Sequence, residues 1–174
     1  YGGSAGKLKG HKFSLYEGGM RVPGIIHWPN RIPGGQVLNE PCAAMDVFPT
    51  FLNVAGGDAT RYELDGVDLM PYLTAGTAPE ERSIFWEMGK QTAVRRGAWK
   101  LVLDGQLVEG APPEDQIHLA NLAEDMAEQH NLHDRHPELA AALKSEAESW
   151  RAGIEERWER EYSAEKQGTV THRQ

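Results

Sequence analysis

The residues best placed to do chemistry lie at the start of the chain. Lys7, Lys9, His11, Lys12 and Arg21 stand there against a single acidic residue, Glu17. A cluster of ammonium, imidazole and guanidinium groups can hold a small anion. On charge alone, a solvated loop with ordinary surface lysines accounts for the same residues. Gly18-Gly19 followed by Pro23 marks a turn whose backbone needs a positive φ or passes very close to something else. The one cysteine, Cys42, permits neither an internal disulfide nor a cysteine-built zinc site. A lone cysteine is more often a small buried residue than a nucleophile.

These residues sit in a chain of 174 residues, 40% apolar and 25% charged, with a formal net charge of −8. That composition fits a globular chain long enough to bury a core. The acidic balance argues against general binding to nucleic acid, which needs a basic surface to displace counterions, and the acidic excess lies from Glu109 onward. No apolar run approaches the roughly 18 residues of a membrane span. No signal peptide is visible, but the chain opens on Tyr1-Gly2-Gly3 rather than methionine, which leaves the compartment open.

The elements that must carry the basic segment follow from pattern. Residues 1–23 read as Gly- and Lys-rich loop. Gly24-Ile25-Ile26-His27-Trp28, closed by Pro29, has the length and β-branched content of a buried strand. Asp46 as N-cap, Pro49 in the first turn and the apolar Val47, Phe48, Phe51, Leu52 and Ala55 predict a helix ending at Gly56-Gly57. Residues 58–80 read as irregular. Strands are predicted at Ser83–Trp86, Thr92–Arg95, Trp99–Leu103 and Gln116–Leu119, with a hairpin turn at Arg96-Gly97. Pro137 then opens a long amphipathic helix with Leu139, Leu143, Ala147, Trp150, Ile154 and Trp158 on one stripe, and the chain turns polar after Tyr162.

Gly10-His11-Lys12-Phe13-Ser14-Leu15-Tyr16-Glu17-Gly18-Gly19-Met20-Arg21-Val22-Pro23 resembles the second signature region of the type-I, formylglycine-dependent sulfatases. In that signature a lysine is followed five residues on by Glu-Gly-Gly, an apolar residue, Arg, and Pro two residues later. Further blocks are similar to the same family in the same order: Ile25–Ile32, Met45–Leu52, Leu64–Leu69, Ala93–Leu101, Leu119–Asp125 and Glu128–Leu132. The resemblance reaches to about residue 160.

The resemblance implies hydrolysis of sulfate esters. In the family, a formylglycine made from the first residue of a Cys/Ser-x-Pro-x-Arg motif attacks sulfur beside a Ca²⁺ ion. Lys12 aligns with the lysine that contacts the sulfate group, the catalytic and substrate-binding role; His11 beside it is a weaker substrate-binding candidate. Glu17, Gly18, Gly19 and Arg21 are expected to be scaffold of the motif. Arg95 and Arg96 could approach an anionic substrate, although a turn-and-surface role accounts for them more simply. Cys42 is followed by Ala43, Ala44 and Met45 and so lacks the formylglycine motif. The resemblance places the nucleophile, the Asp-Asn pair and the other Ca²⁺ ligands upstream of residue 1, with no metal ligands in this stretch.

The expected chain is thus the C-terminal fragment of an α/β, alkaline-phosphatase-like sulfatase, inactive by itself, its main partner the missing N-terminal part of the same polypeptide. Residues 1–78 would finish the large domain, 79–162 would form a small antiparallel sheet packed on a long helix, and 163–174 a flexible tail. The expected substrate is a small-molecule or saccharide sulfate ester, in a periplasmic or secreted protein by resemblance. Two rival readings stay open: a phosphonate or phosphate monoester hydrolase of the same superfamily, and a non-catalytic truncated module.

Overall fold

Two glycine-led turns set the architecture of the second half of the chain. In the computed structural model, which describes residues 3–163, Gly89 (φ +59°) and Gly97 (φ +56°) each open a two-residue hairpin loop. A positive φ at the first loop position is what a tight hairpin compatible with strand twist demands. The strands they join are β1 (Ser83–Met88), β2 (Gln91–Arg96) and β3 (Trp99–Gly105), and β4 (Asp115–Asn121) completes an antiparallel sheet of order β1-β2-β3-β4. All four predicted strands are present, each extended by two or three residues.

Register decides which side chains share a face. Phe85, Val94, Leu101 and Leu119 lie in one cross-strand row, and Trp86, Ala93, Val102 and His118 in the next, on the opposite face. The first face carries the core: Val94, Leu101, Leu103 and Leu119 pack on Ala140, Leu143 and Ala147 of the long helix α4 (Pro137–Trp158). Phe85 stacks on Trp150 at 5.1 Å between centroids. Arg151 fastens the helix to the first hairpin, donating to Gly89 O and Thr92 Oγ1, each at 2.7 Å. The predicted stripe stops packing there: Trp158 is 52% exposed.

The second face of the sheet is covered by the start of the chain. Leu15 and Tyr16 pack on Ala93 and Val102, with Met20, Trp86 and Met88 at the edges. Among the described residues, 3–21 therefore form one compact unit with 83–163, and 22–82 form another. The long helix, the sheet and the basic segment make three layers.

The unit 22–82 is organised around Asp46, fully buried. Its carboxylate accepts the N–H groups of Ala43 (2.7 Å) and Val67 (2.9 Å) and pairs with Arg82 at 2.6 Å. Asp46 precedes α2 (Val47–Val54), but its side chain accepts no bond from that helix, so the expected N-cap is instead a tie between three loops. The region read as irregular contains a second short helix, α3 (Met70–Ala75), ended by Gly76 at φ +70°. The strand expected at Gly24–Trp28 does not form, and Ile25 is 93% exposed. A strand needs a neighbour for its N–H and C=O groups, and no described strand pairs with this one. The apolar side of α2 is likewise uncovered, and Ile25, Trp28, Phe51 and Leu73 line a groove of about 310 Å³. The tail expected over 163–174 lies, from residue 164 on, outside the described residues.

Leu143 is the largest fully buried helix side chain on the first face, so Leu143→Ala should cost about 2–5 kcal/mol of stability, read by denaturant unfolding.

Candidate anion-binding turn

Lys12 occupies the corner of a β-turn. The Ser14 N–H donates to His11 O at 2.9 Å, which closes the turn around Lys12 and Phe13. Phe13 has φ +74°, in the left-handed region that the third residue of a type II turn requires and that glycine ordinarily fills. The side chain of Lys12 is exposed, with its ammonium 5.0 Å from the centre of the Phe13 ring. His11 is also exposed and its Nδ1 donates to Lys12 O at 3.1 Å, so it buttresses the turn backbone.

The turn rests on the glycines behind it. The short helix α1 (Glu17–Met20) approaches so closely that a Cβ on Gly18 would stand 2.2 Å from Gly10 O, and one on Gly19 would stand 2.1 Å from Ser14 O and 2.6 Å from His11 O. Any side chain at either position would push the Lys12 turn away. The Gly18 N–H uses the same closeness to donate to Lys9 O at 2.7 Å. Lys9 is not part of an open basic patch. Its ammonium pairs with Glu114 at 2.9 Å and lies 4.7 Å from the Tyr16 ring centre.

Charge is concentrated beneath α1. Lys100 of β3, fully buried, places its ammonium 2.9 Å from Glu17 Oε1 and 3.0 Å from Glu128 Oε1. The contact to Glu128 Oε1 is an ion pair without the alignment of a hydrogen bond. Glu128 Oε2 accepts the Glu17 backbone N–H at 2.5 Å, and Arg21 reaches Glu17 Oε2 from the rim at 3.2 Å. Burial alone would push the Glu17 carboxyl up, but Lys100, then Arg95 and Arg21, outweigh it and hold Glu17 below the usual glutamate range. For Glu128 burial prevails over the attraction of Lys100, and the neighbouring Glu17 charge adds to it, so its carboxyl is raised. The two acids titrate as a coupled pair.

The remaining candidates make hydrogen bonds or ion pairs of their own within their units. Arg95 Nε donates to Gly97 O at 3.1 Å and Arg96 reaches Glu146 of α4 at 3.2 Å. Cys42 is exposed in its unit, and desolvation of its sulfur, reinforced by Asp46, pushes the thiol up, away from the thiolate a nucleophile needs.

Residues 10–152 match the family described as N-sulphoglucosamine sulphohydrolase, C-terminal. The chain belongs to the sulfatases. Human steryl-sulfatase is 49% identical over 74 residues, 42% of this chain and 13% of that protein. Bovine arylsulfatase A is 31% identical over 160 residues, 80% of this chain and 31% of that protein. Among solved structures, Ps i-CgsB superposes with a TM-score of 0.68 at 30% identity, over 82% of this chain and 31% of that one. This sulfatase segment thus spans a third or less of the lengths of these relatives.

Sequence reasoning missed three buried neighbours of the turn: Lys100 and Glu128 beneath α1, and Gln91, whose Nε2 donates to Phe13 O at 3.0 Å. A signal existed for two of them: the sulfatase-like blocks Ala93–Leu101 and Glu128–Leu132 contain Lys100 and Glu128, but nothing in the spacing says that a strand lysine faces inward.

Lys100→Met would leave two buried carboxylates facing each other and should cost about 3–5 kcal/mol in denaturant unfolding. Glu128→Gln tests the coupled pair through its pH slope. A raised folded-state pKa gives stability that is complete below the ordinary glutamate value and is lost as pH rises through the folded value. The stability of Glu128→Gln relative to the unmodified protein should therefore climb with pH above the ordinary glutamate value, then level off; a flat difference would show that Glu128 is not raised.

Proposed function

We propose that this segment completes the active site of a sulfate ester hydrolase and that Lys12 is its contribution to the chemistry. The observation that carries the reading is the match beginning at residue 10 on a turn whose lysine is exposed while Ser14–Glu17, Lys100 and Glu128 behind it are buried. Cleavage of a sulfate ester gathers negative charge on the oxygens around sulfur, and a fixed cation aimed at them lowers the barrier. An ammonium suits that task, with three donors on a compact charge that can follow a tetrahedral anion. The Phe13 ring holds the ammonium by a modest cation–π attraction, one that a sulfate oxygen can outcompete.

The family's calcium ion would polarise the sulfate oxygens, and its formylglycine would supply the nucleophile. Among the described residues no group of three or more His, Cys, Asp or Glu side chains could hold a metal ion. On this reading the family's ion ligands and nucleophile lie in an N-terminal part of the polypeptide, and the segment by itself would not turn over. The same N-terminal part would supply the neighbouring strands for Gly24–Trp28 and cover the apolar side of α2. His11 lies beside the lysine and is the position most open to shaping substrate choice. The substrate class is a sulfate ester of a sugar or another small molecule; a solved relative at 29% identity and TM-score 0.63 is described in complex with k-i-k-neocarrahexaose.

In the full-length enzyme, Lys12→Ala should lower turnover of a sulfate ester by about 10²–10³-fold, the scale of losing one transition-state donor, with the melting temperature unchanged. Near-normal turnover would remove Lys12 from the site. The coding sequence upstream should carry an Asp-Asn pair shortly before Tyr1 and a Cys/Ser-x-Pro-x-Arg motif well before it.

A further inference from the structure

We propose that Gln91 is a positioning residue for Lys12, holding the turn that carries the lysine in its strained conformation; this rests on the reading of Lys12 as the sulfate contact. Gln91 opens β2 and is only 2% exposed, at the edge of a hairpin where a long polar side chain would normally lie in solvent. Its amide is used on both sides. Nε2 donates to Phe13 O at 3.0 Å, and Oε1 accepts the N–H groups of Leu15 at 3.3 Å and Gln106 at 3.0 Å. A side-chain amide thus stands where a neighbouring strand's peptide would stand, bracketing Ser14 from both flanks and tying it to the end of β3.

The bond to Phe13 matters most because of where it falls. Phe13 is the one position in the Lys12 turn whose backbone an L-residue resists, at φ +74°. A strained residue persists only where its surroundings over-determine it. Here the surroundings are the His11–Ser14 bond, the packing on Gly19 and the Gln91 donor. Without that donor the left-handed residue has one fewer reason to stay, and relaxation at Phe13 would re-aim the preceding residue, Lys12. The Gln91 side chain touches backbone alone in these three bonds, so its effect on chemistry passes through the turn.

Gln91→Glu separates this role from general support. The carboxylate keeps both acceptor bonds, to Leu15 and Gln106, but loses the donor to Phe13 O and repels it. In the full-length enzyme, with 4-nitrophenyl sulfate as substrate, kcat should fall roughly ten- to a hundredfold, the scale expected of a misplaced catalytic group. In a Lys12→Ala background the same substitution should add no more than about a twofold loss, because residues acting as one unit are not additive. Unchanged kcat in Gln91→Glu, or losses that multiply in the double variant, would overturn the proposal. If Gln91→Glu is not recovered folded, Gln91→Asn, whose amide is one methylene too short to reach Phe13 O, serves in the same cycle with the same two outcomes. Normal turnover in Lys12→Ala alone would remove the Lys12 reading and this inference with it. An inactive Lys12→Ala beside a fully active Gln91 variant would overturn the inference while leaving Lys12 in place.

Discussion

The buried ammonium of Lys100 between the carboxylates of Glu17 and Glu128 is the constraint on which the sheet unit of this chain depends. Taking three ionisable groups out of water is unfavourable, and their mutual attraction compensates only in good geometry. Here the geometry is shared with the backbone: Glu128 also accepts the N–H at the start of α1, so electrostatics and chain direction are fixed together. The three charges come from the basic segment, from a central strand and from the loop before the long helix. They bind into one body three pieces of sequence more than eighty and some thirty residues apart. Arg21 adds a rim contact that water can screen, and its contribution is smaller accordingly.

What could be read in the sequence followed from local rules. The four strands and the long helix are specified by glycine-led turns and by apolar spacing of two or of three and four, signals that do not depend on distant residues. Lys12, Glu17, Gly18, Gly19 and Arg21 were legible as a set because a family resemblance marks them, and the two glycines have a steric reason to be there. Lys100 and Gln91 were not legible. A lysine or glutamine alternating with apolar residues in a strand looks like a solvent-facing position, and only the layer formed by residues 10–21 turns that face into an interior. The Gly24–Trp28 strand failed for the complementary reason: its pattern describes a buried strand truly, but burial and pairing are properties of neighbours, which none of the described strands supplies.

The two units differ in how they treat their apolar surface. The sheet with its helix and basic segment buries Leu101, Val102, Leu119 and Leu143 completely. The unit 22–82 holds its loops with one buried carboxylate, Asp46, and a threonine, Thr50, that donates to Asp46 O at 2.6 Å and accepts from the Leu69 N–H at 2.9 Å. Its large side chains Ile25, Val47 and Phe51 stay largely exposed. Polar ties set the path of that chain, and apolar packing does little of the work.

Placing Lys100 on one face of a sheet that is covered on both sides has a further consequence. Slipping β3 by a single residue would swing its ammonium into the layer of Val94, Leu143 and Ala147, and would push Leu101 toward the acids. Neither layer could accept the exchange. The charge therefore serves as an alignment pin: it makes mispaired versions of this sheet costly, and so guards the position of the turn that carries Lys12.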